Sequence, residues 1–248
     1  MLKADAAYRR AISLLPLNYL PIMKKQFIVL TAALALGITA AYAQKEEDKL
    51  VSIGIRAGVN LQKIYGDDFM GNKLSNDFTT GFHAGINADL FISEGFYLQP
   101  GLLYSTKGAE RKNNNIEYTQ HISYIELPVN LLFKPELGSG KLLLGAGPYA
   151  AYGISGKSKT KTGGTAVELD AKFKNKISAA DYLNGGYYVK PFDFGGNILV
   201  GYELNSGFSL QLNGQLGLFG INPEIEGVTA DKSKWKNIGF GASLGYRF

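Results

Sequence analysis

The sequence predicts an all-β protein: an eight-stranded antiparallel up-and-down transmembrane β-barrel. Three observations carry this. Apolar and polar residues alternate with period two in eight separate segments. The connections between those segments alternate between short and long, and lysine, though plentiful in the chain, is missing from 51–61, 82–92, 96–105, 122–133, 142–155, 192–204, 208–219 and 237–248.

From Met23 the chain reads MKKQFIVLTAALALGITAAYAQ: two lysines, an apolar run from Phe27 to Ile38, then the small-x-small triplet Ala41-Tyr42-Ala43. This is the plan of a secretory signal peptide, too short for a membrane anchor, and it predicts cleavage between Ala43 and Gln44. Residues 23–43 are therefore expected to be a signal peptide and 44–248 the barrel domain. Residues 1–22 are expected to be a spurious extension upstream of a start at Met23. The net charge of +5 has a local cause, because Lys3, Arg9, Arg10, Lys24 and Lys25 stand against Asp5 alone in residues 1–43. The remainder is close to neutral, which removes the case for a nucleic-acid partner. The chain has no cysteine, which excludes disulfides, thiol chemistry and thiolate metal sites.

The eight segments are roughly 50–62, 80–92, 96–106, 120–134, 141–155, 191–204, 208–220 and 236–248. Short turns join the second to the third (Ser93-Glu94-Gly95), the fourth to the fifth (Pro135 to Gly140) and the sixth to the seventh (Asn205-Ser206-Gly207). The other four connections read as long and polar. Short periplasmic turns facing long external loops are the plan of an outer-membrane barrel, and an even strand number puts both termini on the periplasmic side. The segments are also long enough, since a tilted strand crosses the hydrocarbon in about 9–11 residues.

Which face meets lipid is read from the polar rows. In VSIGIRAGVNLQ, Val51, Ile53, Ile55, Ala57, Val59 and Leu61 alternate with Ser52, Gly54, Arg56, Gly58, Asn60 and Gln62. A soluble lipocalin-like barrel, the alternative, would scatter lysine and glutamate along its wet face. Here the polar rows hold glycine, serine, amides and isolated charges, which suit a narrow lumen filled by side chains. The apolar rows are therefore expected to face lipid, with closure satisfying the backbone. Tyr65, Tyr104, Tyr118, Tyr152, Phe192 and Trp235 are expected to form an outer aromatic girdle, and Phe96, Phe133, Phe208, Tyr246 and Phe248 a periplasmic one. Pro100, Pro128 and Pro148 fall inside strands, where bulges or local bends are expected.

Four stretches, YLQPGLLYSTKG (97–108), YIELPVNLLFKP (124–135), GAGPYAAYGISGK (145–157) and PFDFGGNILVGYEL (191–204), resemble the PorT-like outer-membrane β-barrel proteins of Bacteroidota. These are small barrels of OmpX and OmpA size. The resemblance spans 44–248 and implies fold more than activity. The terminal Tyr246-Arg247-Phe248 resembles the C-terminal signal read by the barrel-assembly machinery, although Ser243 stands where that signal often has glycine.

Candidate chemistry is sparse. Arg56, Asp89, Glu126, Asp193, Glu203 and Arg247 are expected in the lumen as a hydrogen-bonded plug, the alternative being a proton or ion pathway through a narrow pore. His121 and Ser123 share one outward face near the outer rim and resemble the His-x-Ser of outer-membrane lipid A deacylases. Residues 142–155 hold no carboxylate to orient the histidine, so a coincidence is preferred and no enzyme is expected. His83 is expected to face the lumen alone, with no metal cluster and no cofactor.

The loop 156–190 carries Lys157, Lys159, Lys161, Lys172, Lys174 and Lys176, with Lys190, against Glu168, Asp170 and Asp181. It is expected to be a mobile, solvated external loop, with contact to lipopolysaccharide phosphates as the functional reading. VELDAKF (167–173) is expected to prolong the sheet above the membrane rather than to make a ten-stranded barrel. The reading is a non-enzymatic, monomeric outer-membrane barrel serving envelope structure or surface interaction.

Overall fold

A computed structural model describes residues 50–113 and 115–248. The expected extension, signal peptide and Ala43–Gln44 junction lie outside the described residues.

Eight long strands form a closed antiparallel ring: β1 (Val51–Asp67), β2 (Thr79–Ser93), β3 (Phe96–Asn113), β4 (Ile116–Phe133), β5 (Gly140–Thr162), β6 (Phe192–Leu204), β7 (Phe208–Gly217) and β8 (Lys234–Arg247). Each pairs with its sequence neighbours, and β8 closes the ring on β1 from Gly54–Arg247 to Asp67–Lys234. Stepping once around the ring from Val51, the partners are Leu90, Leu98, Leu131, Ala146, Ile198, Gly214 and Phe240. The path then returns to β1 at Leu61, ten residues above its start. That stagger is what a closed barrel of tilted strands requires. The same path is an unbroken spiral of apolar and small residues on the outside of the wall.

The outward face is apolar on every strand, with Ile55, Val59, Leu61, Ile198, Leu210, Leu212, Phe240 and Leu244 exposed. The inward face buries Arg56, Asn60, Gln62, His83, Asn87, Gln99, Asn130, Gln211 and Ser243. The Phe96–Phe133 stack and the Phe208–Tyr246–Phe248 chain lie at the periplasmic rim, and Phe82–Tyr104 and Tyr152–Phe192–Phe194–Phe219 lie higher on the wall. Two residues depart from the expected girdle. Trp235 packs against the internal cluster, and Tyr118 takes the inward parity of Gln120, which contacts its hydroxyl. Both stand an even number of residues from polar inward positions, and that parity outweighs their aromatic character.

Three further expectations are corrected. The stretch 107–119 is not a loop: β3 and β4 run on as one hairpin to Asn113–Ile116. Likewise β5 continues to Thr162 and turns through Gly163-Gly164, both at positive φ as a two-residue hairpin turn needs, into the strand Thr165–Asp170. That strand prolongs the sheet and adds no member to the ring of eight. Above the lipid belt the outward residues, such as His121 and Lys157, face water instead of hydrocarbon, so the alternation that marks a strand fades there. Of the bulges or local bends expected at the prolines, the bulges are not found. Pairing is interrupted beside Pro100, Pro128 and Pro148, yet the register on either side of each gap is unchanged. The bulges insert Ile92 into β2 and Ile154 into β5.

Candidate functional site

The inside of the barrel is built from three layers. In the periplasmic half, strand ends converge four charges. Lys134 Nζ lies 3.0 Å from Asp89 Oδ2 and 2.6 Å from Glu203 Oε1. Arg247 Nη2 lies 2.9 Å from Asp89 Oδ1, and its Nε lies 3.6 Å from Glu203 Oε2. Gln99 donates to Asp89 at 2.8 Å, and Arg247 also donates to the Asn87 side chain and the Ser52 carbonyl. Leu132, Leu143, Leu199 and Tyr97 pack beside this ring of charges.

In the extracellular half, Lys107 is wholly buried between Glu126 (3.0 Å) and Asp193 (3.1 Å), with the Tyr149 ring 4.2 Å from its ammonium. Asn237 and Tyr149 donate to Asp193, and Gln215 donates to Glu126. Between the two layers His83 faces the lumen, and its ring nitrogens contact Asn60 Oδ1 at 2.5 Å and Ser243 Oγ at 2.7 Å. Arg56 reaches Gln211 at 3.5 Å. A cavity of about 50 Å³ sits here, lined by Arg56, Gln62, Asn197 and Asn213, each with a buried polar atom that has no protein partner. Such a space has room for a few waters, which would satisfy those atoms.

All six sequence-predicted charges thus point inward. Sequence reasoning missed Lys107 and Lys134, because the first lies one residue beyond the predicted segment 96–106 and the second is the last residue of 120–134, where a rim position was read instead of a luminal one. Their signal was an unfinished ledger: two arginines among four carboxylates leave two negative charges to be matched, and a buried charge without a counter-ion is costly. The lysines complete the match.

The third layer corrects the expectation of mobile loops. Lys172–Phe173 pairs in parallel with Tyr188–Val189, and Lys176–Ile177 with Glu224–Ile225. The helix α1 (Ala179–Leu183) is held by a Ser178–Asp181 capping box. Ile177, Tyr188 and Ile225 form a small core with Phe69 and Val228. Below it Tyr187, Val189 and Ile221 descend onto Ile64, Ala109, Ile122, Tyr124, Tyr149 and Ala151, so the upper lumen is apolar rather than polar. Phe173 packs over Gly153, where a Cβ would stand 2.3 Å from its ring. The cap is a folded plug.

The basic loop is also rearranged. The bulge at Ile154 switches the parity of β5, so Lys157, Lys159 and Lys161 lie on the strand and face outward. Lys157 and Lys159 pair with Glu168, Lys161 with Glu117, Lys174 with Asp181 at 3.2 Å, and Lys176 and Lys190 with Glu224. Lys172 lies over the Tyr188 ring. Lys174 and Tyr188 bond the Asp181 carboxylate and hold it below the usual aspartate range.

His121 is exposed and stands across from Lys157. Ser123 Oγ accepts from Tyr104 at 2.8 Å, and among the described residues no carboxylate bonds to His121. No group of three or more potential metal ligands occurs among the described residues.

The family described as "Outer membrane protein beta-barrel domain" matches residues 42–223. No curated protein sequence matches the chain. Among solved structures, Ail of Yersinia pestis in complex with the heparin analogue sucrose octasulfate is 13% identical, with a TM-score of 0.38, covering 80% of this chain and 99% of its own. Neisserial surface protein A is 12% identical, with a TM-score of 0.40 and coverage of 80% and 99%. OprG of Pseudomonas aeruginosa is 12% identical, with a TM-score of 0.41 and coverage of 79% and 95%. With a family match over most of its length and a closed ring of eight strands, this chain belongs to the outer-membrane β-barrel domain family.

Proposed function

We propose that this protein is an exported, monomeric, non-enzymatic barrel of a Gram-negative outer membrane, whose lumen is a structural plug and whose folded cap presents a surface for interaction outside the cell. The signal peptide at 23–43 delivers it, and Tyr246 and Phe248 serve as the signal for the assembly machinery. One observation carries the reading: Lys107, Lys134 and Arg247 interlock with four carboxylates inside the wall, Arg56 lies buried between the two layers, and the cap packs apolar side chains onto them from above. A filled eight-stranded barrel of this kind leaves no aqueous channel. The cap has its own core and helix, which favours a fixed recognition surface over a disordered fringe.

The same geometry speaks against the two other readings. A pore would need a continuous wet path, whereas the polar cavity is small and lies between two ion-paired layers. A deacylase would need a carboxylate behind His121 and a free Ser123 hydroxyl. The test is reconstitution of residues 44–248 into planar bilayers, alongside mass spectrometry of lipid A from expressing cells. Absence of unitary steps and unchanged acylation are expected. Discrete conductance steps would refute the plug, and loss of an acyl chain that disappears in Ser123→Ala would refute the non-enzymatic reading.

A further inference from the structure

We propose that the outward wall at the β1–β8 seam is a binding site for the phosphate groups of the outer-leaflet glycolipid, formed by Lys63, Lys234 and Lys236. In the register, Lys63 stands opposite Ile238, Tyr65 opposite Lys236, and Asp67 opposite Lys234, so the three lysines share one outward face at the extracellular end of the seam. Lys63 and Lys236 are diagonal neighbours, which lie about 7–8 Å apart at their backbones, within the joint reach of long side chains, and Lys234 follows two residues before Lys236 on the same face of β8.

Three features give this seam a function that the loop lysines lack. None of the three lysines has a carboxylate partner among the described residues. The nearest acid in the register, Asp67, is held by Lys73 at 2.6 Å, and Asp231 is occupied with the Ser233 amide. By contrast, all but one of the lysines that the sequence singled out in the 156–190 loop are neutralised by local acids.

The seam also sits at the right level. Directly beneath it lies the top of the apolar belt, with Leu61 opposite Phe240 and the Phe78 and Phe240 rings 6.2 Å apart. Lys63 Nζ lies over the Phe78 ring at 5.2 Å. A lysine stem lying on apolar surface with its ammonium lifted to the interface is the snorkelling arrangement of a wall in contact with lipid headgroups. The Tyr65 hydroxyl donates to the Gly217 carbonyl on the neighbouring β7, which fixes the patch laterally. Unpaired ammonium groups at headgroup height, above an aromatic step, fit a phosphorylated glycolipid whose acyl chains lie against the belt. This site is independent of whatever the cap binds.

The test uses the folded 44–248 barrel in zwitterionic detergent. It is titrated with phosphorylated lipid A, dephosphorylated lipid A and phosphatidylglycerol, and binding is read from the shift in the heat-modifiability midpoint. Each lysine near an anionic interface contributes about a factor of five, so the K63Q/K234Q/K236Q variant should bind phosphorylated lipid A roughly a hundredfold more weakly. K157Q/K159Q/K161Q should remain within about twofold of wild type, and dephosphorylated lipid A should not bind the seam. If the seam variant does not fold, K236Q alone should weaken binding about fivefold while K63R/K234R/K236R retains it. Equal loss in the loop and seam variants, or no loss in the seam variant, overturns the site. Equal binding of phosphatidylglycerol overturns the assignment to the glycolipid.

Discussion

Removing the ammonium of Lys107 is the most direct test of the luminal plug. The side chain is wholly buried, 3.0 Å from Glu126 and 3.1 Å from Asp193, carboxylates that are themselves 5% and 0% exposed. At an effective dielectric of 20, each contact contributes about 5 kcal/mol of attraction. Desolvation of the three charges offsets most of that gain, so the intact cluster adds little net stability. Truncation is different, because Lys107→Met leaves two carboxylates buried in an apolar upper lumen, capped by Tyr124, Tyr149 and Ile122. The expected cost is about 3–5 kcal/mol. Adding Glu126→Gln and Asp193→Asn should recover most of it, since the orphaned charges are gone. The assay is reversible urea unfolding in lipid vesicles, followed by tryptophan fluorescence, because Trp235 packs against this same cluster. A Lys107→Met penalty below about 1 kcal/mol, or a triple variant no more stable than the single one, would refute the argument that the lumen is held by mutual neutralisation.

Further expectations follow from other layers. Ile198→Arg places a charge at the middle of β6 on the lipid face, where the side chain is 65% exposed, and should cost about 2–4 kcal/mol in the same unfolding assay. Gly153→Val should drive Phe173 out of the barrel mouth; limited proteolysis should then cut within 171–190 while the unboiled gel mobility of the barrel stays unchanged. Asp181 has its carboxylate held below its ordinary range by Lys174 and Tyr188. Its contribution to cap order should therefore be full above about pH 4, the unfolded value, and be lost as pH falls through the lower folded value. Hydrogen exchange of the 178–184 amides should show that loss in wild type and should be flat with pH in Asp181→Asn.

The amino-acid sequence by itself determined the barrel. Alternation in VSIGIRAGVNLQ and its seven counterparts, with lysine excluded, defines which face meets lipid, because a bilayer penalises every charge on one row and a narrow lumen rejects bulk on the other. It also determined that Arg56, Asp89, Glu126, Asp193, Glu203 and Arg247 point inward, since parity along a strand is a local property. What only the tertiary structure decided lies where that constraint ends. Above the lipid belt the outward residues of a strand face water instead of hydrocarbon, so the extensions of β3, β4 and β5 left no apolar-polar trace, and Lys107, though wholly buried, went unread as a luminal residue. The bulge at Ile154 reversed the parity of Lys157, Lys159 and Lys161, a shift visible only in the register against β4. The cap depends on parallel pairings between segments almost fifty residues apart, such as Lys176–Ile177 with Glu224–Ile225, and on which acid each lysine meets. Those are facts about neighbours in space, and charge along the chain gives their total without their partners.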